Sequence, residues 1–189
     1  LALDSIKFKI DLKELSLFLE TQDPKIIYRG ISLPAKNIKV YIDFLPLTNS
    51  KPKIKKVNII SQELEFTQIK KLTAIIKPSN FKSILTNKIK KGNVISETDI
   101  FLNKDGNIEN FIAKGLVKNL EAQLINDFHF KDVNLNFFAD KNDILLKNIF
   151  GNLEEIKISE GNIKINTENG VKLSSDFNSI LNFDEVILS

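Results

Sequence analysis

Apolar side chains recur at every second position along much of the chain. Ile6, Phe8 and Ile10 alternate with Lys7 and Lys9, and Ile38, Val40 and Ile42 alternate with Lys39, Tyr41 and Asp43. A period of two marks strands with one buried face, because successive side chains of a strand point to opposite sides of its sheet. Val57 and Ile59, then Leu64 and Phe66, make two more short runs, separated by Ser61 and Gln62. Asp105-Gly106-Asn107 lies between Ile100, Leu102 and Ile108, Ile112 and predicts a hairpin, since Asp-Gly readily takes the positive φ angles of a tight turn. Leu124, Phe128 and Phe130 hold one phase and Val133, Leu135 and Phe137 the other, so the pattern reverses near Lys131. Ile156 and Ile158, Ile163 and Ile165, and Val171 and Leu173 predict three short strands with turns at Glu160-Gly161-Asn162 and Glu168-Asn169-Gly170. Helix is a minority: one or two turns over Leu12 to Leu19, and another over Asn80 to Leu85 with Ser79 as N-cap.

These elements predict a mainly β fold of roughly ten to fourteen strands, built as an antiparallel meander with one or two short helices. Residues 77–93 are the best place for a subdivision. They separate a basic β segment, 1–92, from a continuing meander, 93–189, within what reads as one continuous sheet. Charge supports the division. Residues 1–94 carry a net +10 and residues 95–189 a net −7, although the whole chain of 189 residues carries only +3.

Composition removes several classes of function. The chain has no cysteine and one histidine, so a thiolate metal site, a disulfide framework and a histidine cluster are all excluded. No apolar run approaches the roughly 18 residues of a membrane-spanning helix. The chain starts at Leu1 and has no methionine, which points to a piece of a longer protein whose anchor or leader lies outside it. Eleven lysines between Lys51 and Lys91 suit an anionic surface, but there is no arginine fork or interleaved aromatic platform, and no nucleic-acid partner is expected.

The search for catalytic chemistry is negative. His129 lies on the polar phase of its strand with Asp127 two residues away, the pattern of a surface pair. No G-x-S-x-G elbow, P-loop or dinucleotide fingerprint occurs. Glu63 and Glu65 share a strand phase, as solvated faces commonly do. Asp140-Lys141-Asn142-Asp143 lacks the glycine and terminal glutamate of a calcium loop and reads as a hairpin tip. No catalytic residue, metal ligand or cofactor is assigned, and an enzyme is not expected.

Apolar surface is the distinctive feature, with 14 phenylalanines against two tyrosines and no tryptophan. In a closed sandwich these rings are core. On a long curved sheet whose concave face is left open they line an elongated β-groove suited to acyl chains. Both readings stand at this point.

Three stretches bear on the choice: Pro24 to Leu33, Lys36 to Leu47, and Pro52 to Ile60, followed by the run from Leu64-Glu65-Phe66 to Ile69-Lys70-Lys71-Leu72. Their order of a strand, a strand ending in an acidic residue with a leucine-rich turn, an I-x-x-V-x-I run and an L-x-x-L-like run resembles the opening repeat of the AsmA-like family of TamB/YhdP-type proteins. The resemblance covers roughly residues 24–72, with isoleucine at Ile69 in place of the first leucine. It implies a periplasmic β-groove protein of a Gram-negative bacterium, anchored in the inner membrane by a segment missing here. Such a protein is non-enzymatic, transports phospholipid and contributes to outer-membrane lipid homeostasis. The implied partners are phospholipid acyl chains, with the inner and outer membranes reached through missing segments. Candidate groove-lining residues are Phe8, Val57, Ile59, Phe128, Phe130, Val133, Leu135 and Phe137. Val40 is left out because Tyr41 on the opposite phase is also largely apolar, which leaves the facing of that strand undecided. The alternative is a structural or adhesive β-repeat or sandwich protein with a packed core and a protein partner.

Overall fold

The structure, a computed structural model, describes residues 6–11, 16–28, 31–43, 53–73, 83–125, 128–166, 168 and 172–180. Twelve strands account for most of them: β1 (Lys7–Asp11), β2 (Ser16–Gln22), β3 (Lys25–Tyr28), β4 (Ile31–Asp43), β5 (Lys53–Ser61), β6 (Leu64–Glu65), β7 (Ile89–Leu102), β8 (Ile108–Ile125), β9 (Phe128–Asp140), β10 (Asp143–Leu153), β11 (Ile156–Asn166) and β12 (Lys172–Ile180). One helix, α1 (Phe66–Thr73), and a π-helical turn at Ile84–Lys88 complete the described elements. The sheet runs β1-β2-β4-β5-β7-β8-β9-β10-β11-β12, with β3 paired to β4 and β6 to β7. The predicted mainly β antiparallel meander with two short helical pieces is therefore the observed fold.

The helical expectation over Leu12 to Leu19 is overturned where it is described, from Ser16 on. Ser16–Gln22 is a strand paired on both sides, with β1 and with β4. Cross-strand neighbours on two sides supply a ladder that outweighs a run of good helix formers. Leu64 and Phe66 were expected on one strand, but Phe66 opens α1. Gln68 Oε1 accepts the Glu65 N–H at 2.9 Å, half of a capping box, and Thr67 Oγ1 donates to Glu65 Oε2 at 3.1 Å. The last turn carries Lys70 and Lys71, favourable at the negative end of the helix. Of the second predicted helix, its N-cap Ser79 and residues 80–82 lie outside the described residues, and the π-helical turn follows from Ile84.

The predicted turn at Glu160-Gly161-Asn162 is also absent, since Ile156–Asn166 is one strand. The register against β12 shifts between Ile158 and Glu160, so the glycine sits in a bulged strand. Gly161 is required by close approach: a Cβ there would run into the Phe177 ring and lie 3.2 Å from Ile149 Cβ. The Asp105-Gly106 hairpin forms as expected. Asn103 Oδ1 accepts from the backbone N–H groups of Asp105 and Asn107, both at 3.0 Å, and Gly106 takes φ +82°. Asp140 and Asp143 flank a two-residue connection between β9 and β10, the hairpin tip read from the sequence.

The chain divides into two compact units. The first comprises 1–64, 95–114 and 139–141, the second 65–94, 115–138 and 142–189. The second unit has a closed core of Val117, Val133, Leu135 and Ile149, joined by Phe130, Phe137, Leu146 and Ile163. Beside it Phe66 and Ile69 of α1 pack on Ile89 and Ala122.

A repeated device builds that core. Asn119, Asp132 and Asn148 each take φ near +50° in mid-strand. Asparagine and aspartate tolerate this left-handed region better than other non-glycine residues. Across these positions the apolar phase changes, from Val117 to Leu120 in β8, from Phe130 to Val133 in β9 and from Leu146 to Ile149 in β10, while β10 keeps its register against β11 on both sides of Asn148. The reversal read near Lys131 is this device at Asp132.

Candidate apolar face

The cross-strand registers of the first unit fix which side chains share a face. Phe8 pairs with Leu19, Leu19 with Val40, Val40 with Val57 and Val57 with Ile100. A second row is Ile10, Leu17, Ile42 and Ile54, and a third is Thr21, Ile38, Ile59 and Thr98. Directly opposed residues point to the same side of an antiparallel sheet, so these rows form one apolar face over β1, β2, β4, β5 and β7. Five strands at about 4.8 Å spacing make the face about 19 Å across.

Its interior is largely half-buried and its β1 side is open. Ile38 and Thr21 are buried, while Leu17, Leu19, Val40, Ile42, Val57, Ile59 and Ile100 are half-buried. Phe8 is 71% exposed and Ile10 68%.

The reverse face is polar. Lys7, Glu20, Lys39, Asn58 and Asp99 follow one another across the same five strands, alternating in sign as far as Lys39. The next row is Lys9, Phe18, Tyr41, Lys56 and Phe101. The Phe18 and Tyr41 rings lie 5.2 Å apart, with Lys39 5.6 Å over the first and Lys56 4.2 Å over the second. Long lysine stems shield the rings while their ammonium groups stay wet. Apolar groups on this side are thus enclosed by charged ones.

Glu20 is buried and forms an ion pair with Lys9, and it also accepts the Asn37 Nδ2 hydrogen bond at 2.8 Å. The Lys9 ammonium, helped by Asn37, holds its carboxyl below the ordinary value against the opposing effect of burial. Glu97 is lowered in the same way, first by Lys114 at 2.9 Å and then by Asn58 at 3.1 Å. Both patterns are those of structural ion pairs.

The structure brings seven of the eight candidate residues together in two sets. Phe8, Val57 and Ile59 share the apolar face of the first unit. Phe130, Val133, Leu135 and Phe137 share the core of the second, where Val133 is 3% exposed and Leu135 8%. Phe128 belongs to neither described cluster and is 51% exposed at the start of β9. Val40, left undecided from the sequence, pairs with Val57 and belongs to the apolar face. Leu17, Leu19, Ile42, Ile54 and Ile100 were missed as lining residues. Leu17 and Leu19 stand in an unbroken apolar run, where alternation gives no signal.

Chemistry beyond apolar contact is sparse. At His129 the backbone N–H donates to Glu154 Oε1 at 2.7 Å, and the Glu154 N–H returns to its carbonyl at 3.2 Å. Asp127, its expected partner, lies outside the described residues. An open depression of about 290 Å³ in the second unit is bordered by Glu65, Thr67, Lys91 and Asn93, and Lys91 is paired to Glu121 at 2.6 Å. Among the described residues no group of three or more His, Asp or Glu could hold a metal, and no helix is long and apolar enough to cross a membrane. Comparison with protein-family models, curated proteins and solved structures gave no match.

Proposed function

We propose that this chain is part of a non-enzymatic lipid-handling protein, and that the apolar face of the first unit holds phospholipid acyl chains. The observation that carries this reading is the ladder Phe8–Leu19–Val40–Val57–Ile100, an apolar row across five strands whose members are half-buried or exposed. Each methylene taken from water onto it contributes about 0.8 kcal/mol. The face is about 19 Å across, and one leaflet of a hydrocarbon core about 30 Å thick is about 15 Å deep, so the face is wide enough for an acyl chain. Its rows contain only Ile, Leu, Val, Phe and two flanking threonines. Such a surface has no polar anchor to fix one position of the chain, which permits sliding while the headgroup stays in water.

The resemblance of residues 24–72 to AsmA-like proteins supports the same reading. On it, the protein works in the periplasm, is held at the inner membrane by a segment outside this sequence, and helps supply phospholipid to the outer membrane. The closed core of the second unit favours the other reading in that region, a packed β protein whose partner is another protein. The two readings assign different tasks to different surfaces.

Titration with a fluorescent fatty acid, displaced by a short-chain phospholipid, tests the proposal. F8D and I10D change exposed side chains and are expected to weaken binding at least tenfold each. Gln22→Glu adds the same charge to the reverse face and is expected to leave it unchanged. Equal affinity in all four proteins would remove the assignment.

A further inference from the structure

β1 and β12 end the strand order, and among the described residues each pairs with only one neighbour, β2 and β11 respectively. Among the described residues one edge of each has no strand beside it, the side on which another strand can add. Four of the five residues of β1 are exposed, as are all nine of β12.

The two edges complement each other. Placed antiparallel with Phe8 opposite Ser175, they set Lys7 opposite Asp176 and Asp11 opposite Lys172, which are both opposite-charge pairs. The same register sets Ile10 opposite Leu173 and Ile6 opposite Phe177. All four of these apolar residues are strongly exposed, Leu173 at 64% and Phe177 at 44%. Ile6, Phe8 and Ile10 share one phase and Leu173, Ser175 and Phe177 the matching one, so the apolar and the charged pairs fall on opposite sides of the joined sheet. Self-pairing is poorer. A full-length β1–β1 ladder sets Lys9 against Lys9 between its two Lys7–Asp11 pairs, and a full-length β12–β12 ladder sets Asp176 against Asp176, whereas the β1–β12 ladder contains no like-charge pair.

We propose that the occupant of these edges is a second copy of this chain, with β12 of one copy adding to β1 of the next. The contact is head-to-tail, so it does not consume itself in a dimer and permits longer assemblies. Each junction is a short ladder of about six residue pairs, and the association is weak and concentration-dependent.

Sedimentation velocity over a concentration series, together with directed cross-linking, tests this. The wild-type chain is expected to pass from monomer to dimer and larger species as concentration rises. K7E alone and D176K alone should each raise the midpoint concentration at least tenfold, and K7E/D176K on one chain should return it to within about threefold of wild type. The chain has no cysteine, so F8C chains mixed with S175C chains carry the only thiols. Oxidation should give the 8–175 heterodimer well above the 8–8 and 175–175 species. A monomer at every concentration, a double variant no better than the single ones, or cross-links in statistical proportion would each overturn the proposal. A double F8C/S175C chain that closes only within itself would also overturn it, since the two edges would then meet in one molecule.

Discussion

The two units solve the same problem in different ways. Each must place alternating apolar residues on one side of a twisted sheet. In the first unit β1, β2 and β4 pair in regular register, β4 shifts twice against β5, and the apolar rows end on the open β1 side, with Phe8 71% exposed. In the second, Asn119, Asp132 and Asn148 each take a left-handed conformation in mid-strand, and the apolar residues on both sides of it pack in one core. The same residue types are thus a surface in one unit and an interior in the other. Left-handed residues in mid-strand, which among the described non-glycine residues only the second unit's strands carry, rather than hydrophobic content, separate the two outcomes. It follows that substitutions in the second unit should act on stability, and those on the first unit's open edge should act on binding.

The largest effect is expected at the closed core. Leu135→Ala removes a side chain packed with Val117, Val133 and Ile149 and should cost about 2–5 kcal/mol, read by chemical denaturation. A loss below about 1 kcal/mol would mean that the core is looser than its burial indicates. Gly151→Ala comes next. Its Cβ would lie 2.7 Å from Val133 Cγ2 and 2.9 Å from Val133 Cα, and backbone on the neighbouring strand cannot move aside cheaply. A destabilisation of about 1–3 kcal/mol is expected, with no change in acyl-chain affinity.

The reverse face of the first unit gives a smaller, pH-dependent effect. Glu20 has its carboxyl lowered in the folded state from an ordinary 4.5, first by the Lys9 hydrogen bond. Its contribution to stability is therefore complete above about 4.5 and is lost as pH falls through the depressed folded value. Glu20→Gln should be less stable than wild type by about 1–3 kcal/mol at neutral pH, with the difference narrowing as the solution is acidified below pH 4.5. A constant difference down to acid would place the loss in packing rather than in charge. The smallest effect is expected at Phe8→Ala, within about 0.5 kcal/mol of wild type, because so exposed a ring stabilises little. That same substitution should weaken fatty-acid binding severalfold, which is the sharpest contrast between the units.

Strand identity was readable wherever apolar and polar residues alternate cleanly, as at Lys7–Asp11 and Val133–Phe137. It failed at Ser16–Leu19, where Leu17, Phe18 and Leu19 are contiguous. There both faces carry apolar side chains, Leu17 and Leu19 on the apolar side and Phe18 beneath the Lys39 ammonium, and only the neighbouring strands decide between helix and strand. Of the left-handed positions, only Asp132 had a visible signal, two clear phases meeting at Lys131. At Asn119 and Asn148 the flanking apolar residues are contiguous, as in Leu116-Val117, Leu145-Leu146 and Ile149-Phe150, so there is no clean alternation against which a change of phase stands out. Gly161 was misread as a turn because glycine marks both tight turns and close approach, and the ring of Phe177 is far away in sequence. The facing of Val40 needed the register to Val57. The helix α1 had one local signal, Glu65 followed three residues later by Gln68, at a place where alternation from Leu64 to Phe66 pointed to strand.

Native mass spectrometry of the purified chain, with extraction and identification of whatever remains bound, addresses the central claim most directly. The expected result is substoichiometric phospholipid on the wild-type chain, greatly reduced in F8D and I10D, and retained in Gln22→Glu. An apo mass for the wild-type chain, or lipid retained equally by all the variants, would contradict the assignment of the first unit's open face to acyl chains.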